Sequence, residues 1–177
     1  RILDFSSAND GLLRRESRAF QLPRLFELLR QSIAGSALEK QLELKFIIEA
    51  AVPAVVEGDE RHLEEVLRIL LDNAVKYTRT GAVECSVQYV SDGGADDACR
   101  LLFVVADSGP GIPPAERERV FDRFYRGVVS GEDGTRGGSG LGLSIVRAIA
   151  ERHGAHVILD EAVLGGLRVR VIFAADA

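Results

Sequence analysis

Gly137-Gly138-Ser139-Gly140-Leu141-Gly142-Leu143 stands where a glycine-rich stretch gives way to a helical pattern. From Leu141 to His153, the residues Leu143, Ile145, Val146, Ile149 and Ala150 form one inward face. Glycines let backbone N–H groups turn toward an anion, and the helix start adds the positive end of its dipole. Glycine alone says little, since a surface loop has the same composition. Its weight comes from two stretches upstream, Asp107-Ser108-Gly109-Pro110-Gly111 and Asp72-Asn73-Ala74-Val75-Lys76-Tyr77. Together the three suggest a site for a nucleoside triphosphate and its magnesium.

Outward from there, extended and helical patterns mix. Ala19 to Leu22 reads as a short strand, with Pro23 placed for the first turn of a helix. Leu25, Phe26, Leu28, Leu29, Ile33 and Leu38 recur at helical spacing to about Lys40. Leu42, Leu44, Phe46 and Ile48 alternate, which predicts a half-buried strand over Gln41 to Ala50. Val52 to Gly58 reads as a connector. Asp59 is a good N-cap for a helix to about Tyr77, with Leu63, Val66, Leu67, Leu70, Leu71 and Ala74 inward. Ala82 to Val90 and Arg100 to Ala106 are apolar strands around an acidic hairpin loop. Pro113 and Pro114 open a short helix to about Phe121, and Gly127 to Gly138 is expected to be a mobile loop. Gly154 stops the last helix, and His156 to Asp160 and Leu167 to Phe173 close as a hairpin around Gly165-Gly166. This order predicts an α+β fold, a two-layer α/β sandwich in which a mixed sheet carries helices on one face.

The chain has 177 residues, enough for one domain of ordinary size, and 46% of them are hydrophobic, so a packed core is expected. A net charge of −5 with no strongly basic segment argues against nucleic acid as a partner. Phosphate binding must then come from local groups. Cys85 and Cys99 are too few for a disulfide framework and lack metal-ligand spacing; both are expected as reduced core residues. No apolar stretch approaches the ~20 residues that span a bilayer, and no secretory signal pattern is visible. The absence of Met is expected of a piece of a longer protein.

Several residue types carry chemistry. Asn73 near a helix end offers a neutral amide oxygen to a hard cation, and Lys76, three positions on, offers a point charge to phosphate. The plainer reading is a capped carbonyl and a solvated lysine. Asp107, at the end of an apolar strand, is expected at a pocket mouth. Its carboxylate suits an exocyclic amine such as that of adenine. Arg123 and Arg126 flank Phe124 and Tyr125, and a guanidinium beside a loop can neutralise a terminal phosphate. Phe121, Phe124 and Tyr125 read as anchors of the loop, and Arg136 as a weaker phosphate candidate. His62, His153 and His156 read as structural or surface residues.

In this order the motifs resemble the catalytic, ATP-binding domain of two-component sensor histidine kinases, over about Ala19 to Phe173. That domain has the Bergerat fold, shared with type II topoisomerases, some chaperones and mismatch-repair ATPases. Leu71-Asp72-Asn73-Ala74-Val75-Lys76-Tyr77-Thr78 is similar to the asparagine box. Asp107-Ser108-Gly109-Pro110-Gly111-Ile112-Pro113 is similar to the first glycine box, and Gly138-Ser139-Gly140-Leu141-Gly142-Leu143 to the second. Val120-Phe121-Asp122-Arg123-Phe124-Tyr125-Arg126 resembles the phenylalanine box, which separates histidine kinases from the other Bergerat ATPases. Ile2-Leu3-Asp4-Phe5-Ser6 resembles the end of a dimerisation and phosphoacceptor helix.

The resemblance implies roles for these residues. Asn73 would ligate Mg²⁺, Lys76 would contact phosphate and Tyr77 would flank the nucleotide. Asp107 would accept from the adenine amine, with Gly109, Gly111 and Ile112 shaping the pocket. Arg126 would approach the γ-phosphate of ATP. Residues 127–138 would form a lid. Gly138, Ser139, Gly140, Leu141, Gly142 and Leu143, with Phe124, would complete the nucleotide site. Residues 1–17 would be the end of the dimerisation/phosphoacceptor helix and a linker, and 18–177 the catalytic domain.

The implied activity is transfer of the γ-phosphoryl group of Mg-ATP to a histidine on an adjacent dimerisation domain. The implied partners are that domain and a response regulator or receiver domain. The fragment is expected as a monomer, the full protein as a homodimer. Its expected location is cytoplasmic, with the parent protein in some cases anchored in the inner membrane. Two positions depart from the family pattern. Ile69 stands where many members have a second Asn, and Gly166-Leu167 where they often have Gly-Thr. Ile69 favours an alternative, a non-catalytic nucleotide-binding or docking module. An ATPase driving a conformational cycle would need a base near Asn73, which Ile69 does not supply.

Overall fold

A computed structural model describes residues 17–91, 99–125 and 139–174. The expected helix end at Ile2 to Ser6, within residues 1–16, lies outside them. Elements follow the chain as β1 (Arg18–Gln21), α1 (Leu22–Glu39), β2 (Glu43–Ile48), β3 (Val55–Gly58), α2 (Glu60–Tyr77), β4 (Ala82–Ser91) and β5 (Cys99–Asp107). Two short 3-10 turns, Pro114–Glu116 and Arg119–Phe121, precede α3 (Gly142–Arg152), β6 (His156–Glu161) and β7 (Leu167–Ala174). Among the described residues no helix is long and apolar enough to cross a membrane.

The main sheet has the order β2-β4-β5-β7-β6. β2 runs parallel to β4, and the other neighbours are antiparallel, so the sheet is mixed. Register carries one row of side chains across all five strands: Phe46, Cys85, Val105, Val169 and Leu159. That row joins Leu25, Leu29, Leu67, Leu71 and Val146 from the three helices in one core. Phe103 lies at its centre, edge-on to Phe173 with ring centroids 6.0 Å apart, and 6.5 Å from Phe26. The result is two layers, with helices on one face of a mixed sheet, as the sequence predicts.

The helices form where the periodicity places them. In α1, Leu22, Leu25, Phe26, Leu29, Ile33 and Ala37 are buried, while Leu28 and Leu38 fall off that stripe and are exposed. Asp59 caps α2 by accepting from the His62 N–H at 3.1 Å. Gly154, with φ of +61°, follows the end of α3. Cys85 is fully buried, and that burial pushes its thiol up to about 12, so it behaves as a small apolar core residue. Cys99 opens β5; its side chain lies outside the description.

Two readings need correction. Val52 to Gly58 is not merely a connector, because Val55–Gly58 pairs antiparallel with Arg18–Gln21 in a separate two-stranded sheet. Its four residues are too few for an alternation to register, and its partner lies far back in the chain. The short helix after Pro113 is a pair of 3-10 turns rather than one continuous element.

One long-range contact fixes the end of α2. The ammonium of Lys40, just past α1, donates to the carbonyls of Val75, Lys76 and Thr78 at 2.5, 2.8 and 3.2 Å. A helix C-terminus leaves carbonyls without intrahelical partners, and a cation there also meets the negative end of the dipole. Lys40→Met should therefore lower stability by about 1–2 kcal/mol, read as a lower urea midpoint with an unchanged m-value.

Candidate nucleotide-binding site

Along β5 the period of two puts Asp107 on the same face as Phe103 and Val105, facing the helices. Its side chain is buried, with only 7% of the residue exposed. Oδ1 accepts from the N–H of Gly109 at 2.8 Å and from that of Leu167 at 3.2 Å. Both hydrogen bonds land on one oxygen, so that Oδ2, which takes neither of them, faces any donor a ligand brings. Burial pushes the carboxyl above its usual range, and the two N–H donors pull part of the way back.

The walls around Asp107 are backbone. A Cβ at Gly166 would come within 2.5 Å of both the Asp107 carbonyl oxygen and the Gly109 nitrogen, so the β6–β7 turn passes directly against the carboxylate. A Cβ at Gly109 would meet Asp107 Oδ1 at 2.9 Å and Thr78 Oγ1 at 3.2 Å. Gly111 lies beside Gly166, and Ile112 is partly buried against the core. Ser108 Oγ accepts from Ala82 N at 2.9 Å and donates to the carbonyl of Thr80 at 3.0 Å, tying this turn to the end of α2.

Thr78 is fully buried, and among the described residues its hydroxyl has no hydrogen-bond partner. A buried unpaired hydroxyl is costly. One beside Asp107 fits a site that a polar, planar ligand completes. Sequence reasoning did not assign Thr78 a role, although it closes the asparagine-type stretch. Nor did it assign one to the Leu167 N–H.

The second end of the site lies one helical turn back along α2. Asn73 and Tyr77 are four residues apart, roughly 6 Å along the axis. Asn73 borders the start of α3: a Cβ at Gly142 would lie 3.7 Å from Asn73 Nδ2 and 3.0 Å from Ile69 Cγ2. α3 opens at Gly142 with Leu141 at its N-cap and no side-chain cap, so its first N–H groups are available to an anion. Leu143 packs partly into the core. Ser139 is exposed. Lys76 extends its ammonium to 5.0 Å from the centroid of the half-exposed Tyr77 ring, and borders a groove between α1 and α2 with Ser36, Lys40 and Asp72.

Gly140 fixes the entry to α3. It has φ of +68°, its carbonyl accepts from Phe124 N at 2.9 Å, and a Cβ there would stand 2.8 Å from Phe124 Cα. Phe124 itself has φ of +64° and is 72% exposed. Its ring is therefore not an anchor, which corrects the expectation for this aromatic. The left-handed backbone needed to meet Gly140 turns the side chain outward. Phe121 does pack on the core under Arg147, and Tyr125 stacks with Arg119 at 4.7 Å. Arg126, Arg136, Gly138 and the expected lid at 127–138 lie outside the described residues. His62 and His153, 91 residues apart, meet at 2.8 Å, a contact that the sequence around either residue does not show.

This arrangement can read an amine at the Asp107 end and hold phosphate and a hard cation at the Asn73 end. Comparisons with known proteins give the chain's family. Residues 58–177 match the family described as "Histidine kinase-, DNA gyrase B-, and HSP90-like ATPase". The chain is 38% identical over 164 residues to the hybrid signal transduction protein dokA of Dictyostelium discoideum, covering 90% of this chain and 10% of that protein. It is 31% identical over 166 residues to the signal transduction histidine-protein kinase BaeS of Escherichia coli K12, covering 94% of this chain and 34% of that one. Among solved structures, full-length ShkA in complex with AMPPNP superposes with a TM-score of 0.80 at 27% identity, covering 98% of this chain and 34% of that one. The chain thus spans about a tenth of the length of the curated relative dokA and about a third of BaeS.

The raised Asp107 carboxyl makes a prediction with a definite sign. Its folded-state value lies above the unfolded one, so ionisation opposes folding once pH exceeds the unfolded value. Asp107→Asn keeps an acceptor for both N–H groups and removes the buried charge. The variant should be more stable than the parent at neutral pH. The gain should shrink toward zero as pH falls to the ordinary carboxylate range, as read by urea denaturation across pH.

Proposed function

Because the chain belongs to the histidine kinase-, DNA gyrase B-, and HSP90-like ATPase family, we propose that it binds Mg-ATP and passes the γ-phosphoryl group to a histidine of an adjacent dimerisation and phosphoacceptor domain. The observation that carries this reading is a buried carboxylate beside Thr78, just past the end of the helix that carries Asn73 to the uncapped start of α3. The names of dokA and BaeS, and the AMPPNP bound to ShkA, support it.

In this reading Asp107 Oδ2 accepts from the adenine amine, and the Thr78 hydroxyl gains a partner at the same edge of the base. Tyr77 flanks the nucleotide, and Gly109, Gly111 and Ile112 shape its pocket. The N–H groups at Gly140, Leu141, Gly142 and Leu143, with Gly138 and Ser139, hold phosphate oxygens. Lys76 and Arg126 add positive charge there, and Phe124 borders the same entry. Asn73 holds Mg²⁺ through its amide oxygen, a hard donor that suits this ion. When bound, Mg²⁺ supplies charge neutralisation on the phosphoryl oxygens. The acceptor imidazole attacks the γ-phosphorus, the bond to the bridging oxygen breaks, and ADP leaves. The chain's own part is positioning and electrostatics.

The same proposal includes residues 1–17 as helix end and linker, residues 18–177 as the catalytic domain, and a response regulator or receiver as the downstream partner. It includes a monomeric fragment, a homodimeric parent and a cytoplasmic location, with membrane anchoring left to the parent. Ile69 favours a second reading, a non-catalytic nucleotide-binding module, because an aliphatic side chain one turn before Asn73 cannot support a metal-bound water.

Two variants test the assignment. Asn73→Ala should abolish phosphoryl transfer to the acceptor domain in a radiolabel assay; full transfer would remove Asn73 from the mechanism. Asp107→Asn should weaken ATP binding by about tenfold or more, as removal of a charged hydrogen-bond acceptor predicts, measured by calorimetry. Saturable ATP binding by the parent protein with no transfer would favour the second reading.

A further inference from the structure

At the ends of α2 and α3 remote from Asn73 and Gly142, three side chains meet that the nucleotide site does not use. Asp59 is the N-cap of α2, His62 lies in its first turn, and His153 is the C-cap of α3. The Asp59 carboxylate divides its work: Oδ1 accepts from His62 N at 3.1 Å, and Oδ2 lies 2.9 Å from His62 Nδ1. His62 Nδ1 also lies 2.8 Å from His153 Nε2. One donor atom from each residue falls within 4.8 Å of the others. His62, His153 and Asp59 are all half-buried.

The local chemistry asks for a cation. A neutral imidazole nitrogen carries at most one proton, yet His62 Nδ1 faces a carboxylate oxygen and a second ring nitrogen together. One proton on Nδ1 cannot be shared linearly with both. A metal ion among the three accepts a lone pair from each.

We propose that Asp59, His62 and His153 form a binding site for a divalent transition-metal ion, with Zn²⁺ the best match. Two imidazole nitrogens and one carboxylate oxygen form a typical three-residue zinc set, leaving the fourth position to water. The same donors suit Mg²⁺ and Ca²⁺ poorly, since those ions favour oxygen. Tetrahedral ligands on Zn²⁺ stand about 3.3 Å apart, so the 2.8 and 2.9 Å separations need to open by only a few tenths of an ångström. The supports are already in place. The His153 N–H donates to the carbonyls of Ile149 and Ala150, and its ring packs edge-on against Phe173 at 6.3 Å. Asp59 and His62 are fixed by the cap they share.

Because α2 and α3 run antiparallel, this site ties the ends of the helix pair that lie away from Asn73. It is independent of the proposed kinase activity and stands or falls without it.

Titration of the 177-residue chain with Co²⁺, read by its visible d–d bands, tests the proposal. The expected result is one saturable equivalent, displaced by Zn²⁺, with a higher thermal midpoint in Zn²⁺ than in chelator. Asp59→Asn keeps a good N-cap and loses the anionic ligand. His153→Gln loses one imidazole. Each should weaken Co²⁺ binding by at least roughly 10–100-fold and abolish the Zn²⁺ shift, while His156→Gln, at an exposed histidine, leaves both unchanged. Circular dichroism in chelator identifies the variants that remain folded, and either one decides the matter. Absence of a saturable band in the parent chain would overturn the proposal, leaving a hydrogen-bonded cluster. So would unaltered Co²⁺ affinity in either folded variant.

Discussion

The carboxylate of Asp107 is held by two backbone N–H groups that belong to different parts of the chain, Gly109 just after it and Leu167 at the start of β7. That one oxygen joins the end of the central strand, the turn that follows it and the closing hairpin. Everything near it is built to let backbone come close, with Gly166 and Gly109 where a Cβ would collide. An ionised group in such a place opposes folding, which is why its carboxyl lies above the usual range. Stability elsewhere must cover the cost. The row from Phe46 to Leu159, packed under three helices, is where that stability resides.

α2 couples the two. Its buried face, Leu63, Val66, Leu67, Leu70 and Leu71, is the middle of the core, and its last turn carries Asn73, Lys76 and Tyr77. A residue on a rigid helix is placed more accurately than one on a loop. Lys40 gives that last turn a second fixing point by taking up three carbonyls that the helix itself cannot satisfy. The buried hydroxyl of Thr78, without a partner among the described residues, follows this well-ordered turn, and the left-handed Phe124 lies at the entry to α3. Local unfavourable features thus collect around one cleft, as they do where a ligand is meant to complete the structure.

Much of this was legible in the sequence because it is local. A cap at Asp59, a stripe repeating every three to four residues and a strict alternation from Leu42 to Ile48 each sit within one window. Asp107 stood out for the same reason, as a charge ending an apolar run. What was missed depends on partners far away in the chain. β3 is held by β1, Lys40 serves a helix 35 or more residues later, and His62 finds His153 only when α2 and α3 lie antiparallel. The burial of Asp107 follows from Leu167, and the exposure of Phe124 from Gly140; neither is visible in its own neighbourhood.

Ile69 shows how packing and site chemistry compete for one position. It lies one turn before Asn73, is partly buried against the core, and its Cγ2 approaches the place where a side chain on Gly142 would begin. The helices meet there closely enough that a side chain at the start of α3 would press on Ile69. An aliphatic residue fills that contact without needing a hydrogen-bond partner. A polar one would have to find a partner in a half-buried crossing or project toward the phosphate end of the cleft. With Ile69 the contact between α2 and α3 is settled by packing alone. The cation-holding work then falls on Asn73, and the close approach of the two helices is what brings that amide to the first N–H groups of α3.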